Sequence, residues 1–380
     1  MNIGFDAKRA FHNFRGLGNY SRNLIQGLSE TYPENRYFAF TPAIKDSRAL
    51  AWQEKVPELK IVQPSGLVAE KIPSLWRSQW MLKDLQENNI NLFHGLHHEL
   101  PAGIAKSGIK SIVTVHDVLF LRFPQFHSKI NRIIYKQKLQ SSCKAADVVI
   151  AISEQTKQDL IDFLQVPAKK IRVVYQSCEP RFFQPISADK VTDTKQKYQL
   201  PENYLLYVGA LTASKNLEKL LQAYYRLQRE QTDVHLVLAG IGGLEKTLKQ
   251  QSADWGIVDK VHFPGFIDNG DLPALFKGAA IFVYPSLFEG FGIPIIEALA
   301  AGVPVITSTD SCFAEAGGPA SKYVNPQDAD ALLAEIKKVL SSVDLQEEMI
   351  FRGKAYVKQF HPLETTKHVM TVYEALNRVA

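Results

Sequence analysis

The stretch AIFVYPSLFEGFGIPIIEALAAGVPVITS, from Ala280 to Ser308, predicts a strand, a glycine-rich loop, a helix and a second strand. AIFVYPS and VPVITS are short, apolar and rich in β-branched residues, which is typical of parallel strands that helices cover on both faces. Pro294 stands where the first turn of a helix accepts a proline. The stretch therefore predicts one strand–helix–strand element of an open parallel sheet.

The same alternation of strands and helices extends along the whole chain. In the first half the predicted strands are NIGFDA, YFAFTP, LKIVQP, LFHGL, SIVTVHD, ADVVIAIS and IRVVYQ. In the second half they are YLLYVGA, VHLVLAG, KVHFPG, AIFVYPS, VPVITS and KYVNP. Helical stretches lie between them, such as NLEKLLQAYYRLQRE with its apolar stripe at Leu217, Leu220, Leu221 and Tyr224. Two series of this length predict an α/β protein with two doubly wound, Rossmann-like domains.

The boundary between these domains is predicted in the polar, proline-containing segment from Ser177 to Asn203, which interrupts the alternation. We assign residues 1–185 to the N-terminal domain and residues 186–360 to the C-terminal domain. Residues 361–380 are helical without a further strand, and we expect them to pack back on the first domain or on the second.

Composition limits the class of protein. The chain has 380 residues, of which 46% are hydrophobic, enough for substantial cores. Its first ten residues contain acidic and basic groups, so we expect no secretory signal, and no apolar run approaches the roughly 20 residues of a membrane-spanning helix. Cys143, Cys178 and Cys312 are scattered and odd in number, which argues against a disulfide framework or a zinc site. We expect a cytoplasmic protein.

Charge is distributed unevenly along the chain. Residues 1–180 contain 24 Lys and Arg against 16 Asp and Glu, a net +8, whereas residues 181–380 contain 20 against 23, a net −3. No acidic residue occurs from Val118 to Ala146. Two interpretations remain open: the basic half faces anionic lipid headgroups or a diphosphate-bearing substrate, or it is an ordinary solvated helix face.

The segment LWRSQWMLKDL predicts an amphipathic helix of the N-terminal domain. Trp76 and Trp80 would contact a lipid-linked acceptor at the inner face of the membrane, or they would form a stripe that faces the core.

Two glutamates flank the glycine-rich loop of the opening stretch. Glu289 would lie in the loop, and Glu297 would lie roughly one turn, about 5 Å, inside the helix. Carboxylates accept hydrogen bonds from hydroxyl groups, and the amides of Gly290, Phe291 and Gly292 between them would donate to an oxyanion. The pattern favours a polyhydroxylated ligand that carries phosphate. The alternative is that Glu297 only caps the helix while Glu289 is merely exposed.

Two further strand–helix junctions have the form of an anion site. In FDAKRAFHNFRGLGNYSRNL, Gly16 and Gly18 precede a helix; in YVGALTASKN, Lys215 follows a strand that ends at Gly209. Each motif also has a simpler interpretation. Gly16 and Gly18 would serve only a tight turn, and Lys215 would be an ordinary solvent-exposed lysine.

Together these segments resemble the retaining glycosyltransferases of the large bacterial group 1, which are similar to glycosyltransferase family 4. FEGFGIPIIE matches the E-x7-E signature of that group, and GLGNYSRNL, TVHD, ADVVIAISEQTKQDL and YVGALTASKN match segments along nearly the whole chain. The resemblance implies the GT-B architecture, in which two Rossmann-like domains face a central cleft.

The resemblance also implies roles for individual residues of the C-terminal domain. Glu297 would hold the ribose hydroxyls of a nucleotide, and Glu289 would hold sugar hydroxyls together with the backbone of Gly290–Ile293. Lys215, in the segment that begins after Gly209, would meet the diphosphate. Phe266, in KVHFPGFID, would lie around the base.

In the N-terminal domain, Gly16 and Gly18 would approach the phosphates. His116, at the end of SIVTVHD, would orient a donor-sugar hydroxyl beside the anomeric carbon. The alternative for His116 is a core histidine whose ring nitrogens are satisfied. One departure concerns an arginine that the family usually adds to the lysine, because Ala210 and Ser214 occupy its two positions here. This departure puts the strength of donor binding in question.

The implied activity is transfer of a hexose, first of all mannose from GDP-mannose, to a hydroxyl of a glycan or lipid-linked acceptor in cell-surface polysaccharide synthesis. We expect no metal, no other cofactor and no nucleic-acid partner. Two alternatives remain: a non-catalytic subunit that binds sugar nucleotides, and an NAD(P)-dependent oxidoreductase that uses the GIGG of VLAGIGGLEK.

Three motifs receive a structural interpretation. Gly240 and Gly242 of VLAGIGGLEK predict a tight turn, since Glu245 replaces the third glycine of a dinucleotide fingerprint. Asp328 and Asp330 predict N-terminal capping of a helix rather than a metal site. The histidines of HGLHHELP lack the spacing of a helical zinc motif.

Overall fold

A computed structural model describes residues 1–14, 16–66, 70–126 and 128–378. The chain forms two compact units. The N-terminal unit contains residues 1–177 and 362–380, and the C-terminal unit contains Cys178–His361. The change of unit, after Ser177, falls eight residues before the predicted boundary at 185/186. Phe182 belongs to the C-terminal unit because its buried ring packs edge-on against Phe276, with 5.7 Å between the ring centroids.

The N-terminal unit is built on a parallel sheet with the strand order β3-β2-β1-β4-β5-β6-β7. Its strands are β1 Asn2–Asp6, β2 Arg36–Phe40, β3 Lys60–Val62, β4 Leu92–Gly95, β5 Lys110–Val115, β6 Val148–Ala151 and β7 Ile171–Val173. The inner strand β1 places Ile3 between Tyr37 of β2 and Leu92 of β4. The apolar pattern of these strands, buried on both faces, agrees with a sheet covered by helices.

The helices of the N-terminal unit follow the strands. They are Lys8–His12, Gly16–Thr31, Ser47–Gln53, Pro73–Leu75, Met81–Glu87, Leu119–Arg122, Lys129–Ala145, Glu154–Leu164 and Pro362–Arg378, with a π-helical turn at Trp76–Trp80 and 3₁₀ turns at Ile104–Lys106, Pro124–Phe126 and Ala168–Lys170. The C-terminal helix crosses Gly27 so closely that a β-carbon there would lie 2.4 Å from the Thr366 hydroxyl. Tyr373 of the same helix hydrogen-bonds to His94 Nδ1 at 2.6 Å. These contacts hold the end of the chain in the N-terminal unit.

The C-terminal unit is built on a second parallel sheet with the order β10-β9-β8-β11-β12-β13. Its strands are β8 Tyr204–Val208, β9 His235–Ala239, β10 Val261–Gly265, β11 Ile281–Tyr284, β12 Val305–Ser308 and β13 Lys322–Val324. Its helices are Ala188–Lys197, Leu217–Gln228, Glu245–Asp254, Leu272–Lys277, Ile293–Ala301, Phe313–Gly317, Ala329–Leu340 and Val343–Tyr356, with 3₁₀ turns at Pro180–Phe183, Ala213–Lys215, Val258–Lys260, Gly318–Ala320 and Val357–Phe360.

Each sheet has a point at which the direction of winding reverses. In the N-terminal unit this point lies between β1 and β4, and in the C-terminal unit between β8 and β11. Every strand predicted from the sequence is present, and the prediction of two doubly wound α/β domains is confirmed. In such sheets ligands bind beyond the carboxyl ends of the strands at the point of reversal.

The segment LWRSQWMLKDL differs from the continuous amphipathic helix that its sequence predicts. Trp76 is 2% exposed and Met81 1%, and both belong to a core that also contains Phe40 and Phe93. Trp80, at the end of the π-helical turn, is 41% exposed. The core-facing interpretation is therefore correct for Trp76 and wrong for Trp80. None of the helices that the structure describes combines the length and the apolar character that a membrane span requires.

Candidate active site at the β8–β11 junction

The loop after β8 turns sharply at Gly209, where φ is +155°. A β-carbon at Gly209 would lie 2.5 Å from the Tyr207 hydroxyl, so a larger residue would have to displace that side chain. The turn after β9 packs on the same loop: β-carbons at Gly240 and Gly242 would lie 1.8 Å and 2.3 Å from the carbonyl oxygens of Gly209 and Leu211. Gly240 and Gly242 of GIGG thus serve a close approach of two backbones, as the tight-turn interpretation predicts.

Lys215 lies at the end of this loop, one residue before the left-handed Asn216, where φ is +58°. The Asn216 side-chain amide donates to the carbonyl oxygens of Pro285 (3.2 Å) and Pro326 (2.6 Å). The Leu287 amide donates to the Ser214 carbonyl at 2.9 Å. These bonds tie the loop after β8 to the loop after β11 and fix the position of Lys215.

Three donors converge on one oxygen of Glu289. Lys215 Nζ forms an ion pair with Glu289 Oε1, and the side chains are only 17% and 15% exposed. The hydroxyls of Tyr284 (2.9 Å) and Ser286 (2.7 Å) donate to the same Oε1. Burial, followed by the charge of Glu289, raises the pKa of Tyr284 well above its usual value, so this hydroxyl stays protonated. Oε2 has no donor within the part of the chain that the structure describes, which leaves it available to a ligand.

Side-chain hydrogen bonds from Ser311 and Cys312 hold the backbone of the glycine-rich loop in place. The thiol of Cys312 donates to the carbonyl oxygens of Glu289 (3.3 Å) and Phe291 (3.0 Å), and Ser311 Oγ donates to Glu289 O at 3.1 Å. The Phe291 ring is 2% exposed and packs edge-on against Phe360. Phe291 can therefore meet a ligand only through its backbone.

Glu297 has a different environment. It lies on the helix Ile293–Ala301, whose N-cap is Gly292 with φ of +102°, and no side chain caps this helix. The capping alternative for Glu297 is therefore wrong, and Pro294 is the second helical residue. Within the described residues no donor reaches the carboxyl group of Glu297. Burial, together with the negative charge of Glu179, raises its pKa to about 8.

Phe266 lies directly beyond β10, and its ring is 64% exposed. Strand β10 is two places from β8 in the sheet, so Phe266 is on the order of 10 Å from the β8 loop along the same carboxyl edge. An exposed aromatic ring in this position is free to stack on a planar ligand group.

His116 follows β5 in the N-terminal unit and is 3% exposed. Its Nε2–H donates to the Leu96 carbonyl at 2.9 Å, and its Nδ1 accepts a bond from the Gln176 side-chain amide at 2.8 Å. Burial, with His98 as the next cause, lowers the pKa of His116 to about 4, so the ring is neutral. Both nitrogens are satisfied, as in the core-histidine alternative. A sugar hydroxyl would have to replace Gln176 at Nδ1.

Gly16 and Gly18 lie in the first turn of the helix Gly16–Thr31. A β-carbon at Gly18 would lie 1.6 Å from the Asn13 carbonyl oxygen. Close packing therefore explains why position 18 is a glycine. A β-carbon at Gly16 would meet no atom within 4 Å, so packing does not explain that glycine.

The remaining motifs serve the fold. Asp328 accepts bonds from the amides of Asp330 (3.0 Å) and Ala331 (2.9 Å), as capping predicts, whereas Asp330 forms an ion pair with Arg226. In HGLHHELP, both ring nitrogens of His94 are bonded, to Tyr373 OH and to Thr114 Oγ1.

The sequence analysis did not identify the residues that orient the carboxylate of Glu289 or that influence the pKa of Glu297. Tyr284 and Ser286 orient Glu289, and the charge of Glu179 adds to the rise that burial causes in the pKa of Glu297. Tyr284 and Ser286 are within five residues of Glu289, so the strand end VYPS was a signal that could have found them. Glu179 has no such signal, because 118 residues separate it from Glu297 along the chain.

Solved structures identify the class of protein that this fold defines. A crystal structure of Anabaena HepE in complex with UDP and glucose is 18% identical, with a TM-score of 0.76 over 99% of this chain and 100% of that chain. Sucrose-phosphate synthase from Thermosynechococcus elongatus is 19% identical, with a TM-score of 0.77 over the full length of both chains. The two parallel-sheet units therefore have the GT-B fold.

Sequence comparison gives the family. The profile described as glycosyl transferases group 1 matches residues 190–356, and the profile described as glycosyltransferase family 4 matches residues 14–180. O-antigen chain mannosyltransferase B of Escherichia coli is 29% identical over 99% of this chain and 100% of its own length. O-antigen chain mannosyltransferase RfbU of Salmonella typhimurium is 28% identical over 79% of each chain. The chain belongs to the group 1 glycosyltransferases, and it is a transferase.

Proposed function

We propose that this protein is a retaining hexosyltransferase that moves a sugar from a nucleotide diphosphate donor to an acceptor hydroxyl. One observation carries the proposal: Lys215 and Glu289 are paired at the point of reversal of the C-terminal sheet, and Glu297, on the adjoining helix, has no hydrogen-bond donor among the residues that the structure describes. A cation beside two carboxylates suits a ligand with a diphosphate and two sets of hydroxyl groups.

In this proposal each group of the donor has its own contact. Lys215 binds the diphosphate, Oε2 of Glu289 accepts bonds from sugar hydroxyls, and Glu297 accepts bonds from the ribose hydroxyls. The backbone of Gly290–Ile293 lies beside the sugar, and Gly209 allows the loop of Lys215 its sharp turn. Phe266 stacks on the base.

The N-terminal unit contributes Gly16, Gly18 and His116. Gly16 has open space around it, which suits a close approach of phosphate. His116 would exchange its bond from Gln176 for one from a sugar hydroxyl. Because its ring is neutral, His116 would act by hydrogen bonding and orientation rather than as a cation.

The donor is proposed to be GDP-mannose, because both O-antigen relatives are named mannosyltransferases. UDP-sugars are the next candidates, since HepE was solved with UDP and glucose. The acceptor is proposed to be a glycan or a lipid-linked glycan of cell-surface polysaccharide synthesis. The enzyme would work in the cytoplasm, with peripheral contact to the inner face of the membrane through its basic N-terminal unit.

The chemistry follows from charge. As the bond to the anomeric carbon breaks, negative charge develops on the departing diphosphate, and Lys215 stabilises it. The diphosphate in turn accepts the proton of the acceptor hydroxyl. Ala210 and Ser214 stand where the family usually has an arginine, so Lys215 does more of this work here. We propose that no metal takes part, and we assign no covalent nucleophile.

The test is a panel of GDP-, UDP- and ADP-sugars scored by thermal shift, by release of nucleoside diphosphate and by analysis of the glycosylated product. We expect one donor to stabilise the protein and to be consumed, with the anomeric configuration retained in the product. Binding without turnover on any acceptor would instead favour the non-catalytic subunit. Stabilisation by NAD(P) alone would favour the oxidoreductase.

A further inference from the structure

A group of basic side chains lies where the winding of the N-terminal sheet reverses. Lys8 and Arg9 follow strand β1, and His97 and His98 follow β4, the two strands between which the reversal falls. Because the carboxyl ends of parallel strands meet at the same edge of a sheet, the segments after β1 and β4 are neighbours. We call these four residues the basic cluster.

The two histidines of the basic cluster pack against each other and against His116, which follows β5. The ring centroids of His97 and His98 are 4.3 Å apart, and those of His97 and His116 are 5.5 Å apart. His98 Nε2 accepts a hydrogen bond from the backbone amide of His116 at 2.9 Å. These contacts hold the segments after β4 and β5 together at this edge of the sheet.

Arg9 lies close to both the lysine and the histidines of the basic cluster. Burial, followed by the charges of Arg77 and Arg9, lowers the pKa of Lys8. Burial, followed by the charge of Arg9, lowers the pKa of His98 to about 4. Burial, followed by the neighbouring histidines and then the charges of Arg9 and Arg77, also lowers the pKa of His97. Both rings are therefore uncharged at neutral pH, and each carries one N–H donor.

Polar atoms of the basic cluster lack partners in the part of the chain that the structure describes. No carboxylate there lies within ion-pair distance of Lys8 or Arg9. His97 Nδ1 is buried without a hydrogen-bond partner. Since Nε2 of His98 is an acceptor, the ring hydrogen lies on Nδ1, and no described residue accepts a bond from that atom. A buried polar atom without a partner calls for an explanation, and a ligand beside it provides one.

The carboxylates near the basic cluster are already compensated by other cations. Arg77 donates to both carboxylate oxygens of Asp6, and it pairs with Glu99 at 3.3 Å. Lys138 pairs with the other oxygen of Glu99, also at 3.3 Å. These ion pairs leave the two cations of the basic cluster uncompensated, so the local charge favours an anion.

We infer that the basic cluster binds an oxyanion, a phosphate or a carboxylate, that belongs to the sugar acceptor. An arginine offers several N–H donors to such a group, and a lysine adds a point charge. The N–H groups of the two neutral imidazoles supply further donors.

The position of the basic cluster assigns the anion to the acceptor. In doubly wound sheets ligands bind at the point of reversal, and each unit of this protein has one such point. The proposed function places most contacts of the donor at the reversal of the C-terminal sheet, so the reversal of the N-terminal sheet is left for the second reactant. This step rests on the proposed function, whereas the binding of an oxyanion does not.

The inference narrows the class of acceptor. His116 is proposed to lie beside the anomeric carbon, and its ring contacts His97 of the basic cluster. The anion would therefore lie on the sugar that receives the hexose. Sugar phosphates and uronic acids carry such a group, and neutral hexoses do not.

The first test is titration of the full-length protein with inorganic phosphate at constant pH and ionic strength. The ring signals of isotope-labelled His97 and His98, followed by NMR, report binding, and the single variants His97→Gln and His98→Gln assign these signals. Lys8→Gln and Arg9→Gln each remove one cation, whereas Arg9→Lys keeps the charge. The matched control is Arg36→Gln, which removes an exposed cation at the start of β2 in the same unit.

We expect phosphate to shift both ring signals to saturation in the wild type. Lys8→Gln and Arg9→Gln should each weaken binding about tenfold, the effect of losing a hydrogen bond to a charged group. Arg9→Lys should lose less, and Arg36→Gln should bind like the wild type. Melting temperatures close to that of the wild type will show that the variants are folded.

The second test uses glucose, glucose 6-phosphate and glucuronic acid, which differ only at one carbon, as ligands in the same titration. The two charged sugars should shift the ring signals, and glucose should not. Tighter binding of glucose 6-phosphate would identify the anion as phosphate, and tighter binding of glucuronic acid would identify it as carboxylate. Lys215→Gln, which removes the cation of the proposed donor site, should leave the shifts at His97 unchanged.

Ring signals that phosphate leaves unchanged would overturn the inference, as would equal affinities of the wild type and Arg9→Gln. Displacement of the anion by GDP or UDP would assign the basic cluster to the donor and overturn its assignment to the acceptor. If an anion binds here while no sugar nucleotide is consumed, the proposed function fails and the anion site stands. If sugar is transferred to neutral acceptors by a protein that binds no anion, the anion site fails and the proposed function stands.

Discussion

Glu289 and Glu297 belong to one short motif, yet the protein treats their carboxylates in opposite ways. Glu289 is paired before any ligand arrives, since Lys215, Tyr284 and Ser286 all donate to its Oε1. Glu297 has no donor within the described residues, and its pKa is raised to about 8. Sequence spacing predicts that both acids face one ligand, but it says nothing about which of them is already satisfied.

The difference between the two carboxylates suggests that they have different roles in ligand binding. A carboxylate with one oxygen fixed and one oxygen free is preorganised, so Glu289 can orient a hydroxyl group with little rearrangement. A carboxylate that burial keeps protonated gains its charge only when donors arrive. Glu297 would therefore respond to the ligand, whereas Glu289 would position it.

Among the predicted changes, the largest is the loss of sugar-transfer activity in Glu289→Gln. The amide removes the negative charge that pairs with Lys215 and changes the group that receives the sugar hydroxyl. We expect sugar transfer to fall roughly 10²- to 10³-fold, the range found when one preorganised group is removed. The measurement is steady-state release of nucleoside diphosphate with acceptor. Glu348→Gln, which only breaks a surface pair with Arg352, is the control and should retain full activity.

Glu297 should make stability depend on pH. Its pKa is about 8 in the folded protein and close to 4.3 in an unfolded chain, so the folded state binds more protons between these values. The free energy of unfolding should therefore fall as pH rises from about 4.5 to about 8, and then level off. Glu297→Gln should lack this loss and be more stable than the wild type at pH 9 by about 2–4 kcal/mol.

Urea denaturation of the wild type and Glu297→Gln at several pH values measures this difference. Glu348→Gln should follow the wild type. Parallel curves for the wild type and Glu297→Gln would mean that the Glu297 carboxyl ionises at its ordinary pKa.

A smaller effect is expected from Tyr284→Phe. It removes one of three donors to Glu289 Oε1 and leaves the ion pair with Lys215 in place. If Tyr284 is a positioning residue, kcat should fall about tenfold while the donor KM changes little. Tyr204→Phe, which loses an equally buried hydroxyl bonded to Leu275 O, should leave kcat unchanged. Equal losses in both variants would show a general effect on packing.

The smallest effect is proton release on donor binding. Ribose hydroxyls that donate to Glu297 stabilise its ionised form, so binding near pH 7 should release up to about one proton and tighten as pH rises to about 8. Calorimetry in two buffers with different ionisation enthalpies measures this release. It should disappear in Glu297→Gln, and release that persists there must come from another group.

The sequence predicted the fold well because buried parallel strands have a distinct apolar pattern. The strand and helix around Glu289 and Glu297 were predicted from this pattern. The tight turn at Gly240 was predicted from its glycines. Trp76 and Trp80 show the limit of this reasoning, since a regular helical pattern treats the two residues alike, yet Trp76 is buried and Trp80 is exposed.

The site was predictable in its named residues but not in their electrostatics. Lys215 and Glu289 are 74 residues apart, and only the tertiary structure shows that they form a pair. The raised pKa of Glu297 depends on burial and on Glu179, neither of which the motif contains. The roles assigned to these residues stay predictions.

The most direct test of the division between the two acids is calorimetric titration of the wild type, Glu289→Gln and Glu297→Gln. Each protein is titrated with the sugar nucleotide and with the corresponding nucleoside diphosphate. We predict that Glu297→Gln binds both ligands about tenfold or more weakly, a loss of one or two hydrogen bonds to a charged group. Glu289→Gln should bind the nucleoside diphosphate like the wild type and lose affinity only for the sugar nucleotide. Unchanged affinity of Glu297→Gln for the nucleoside diphosphate would contradict the account.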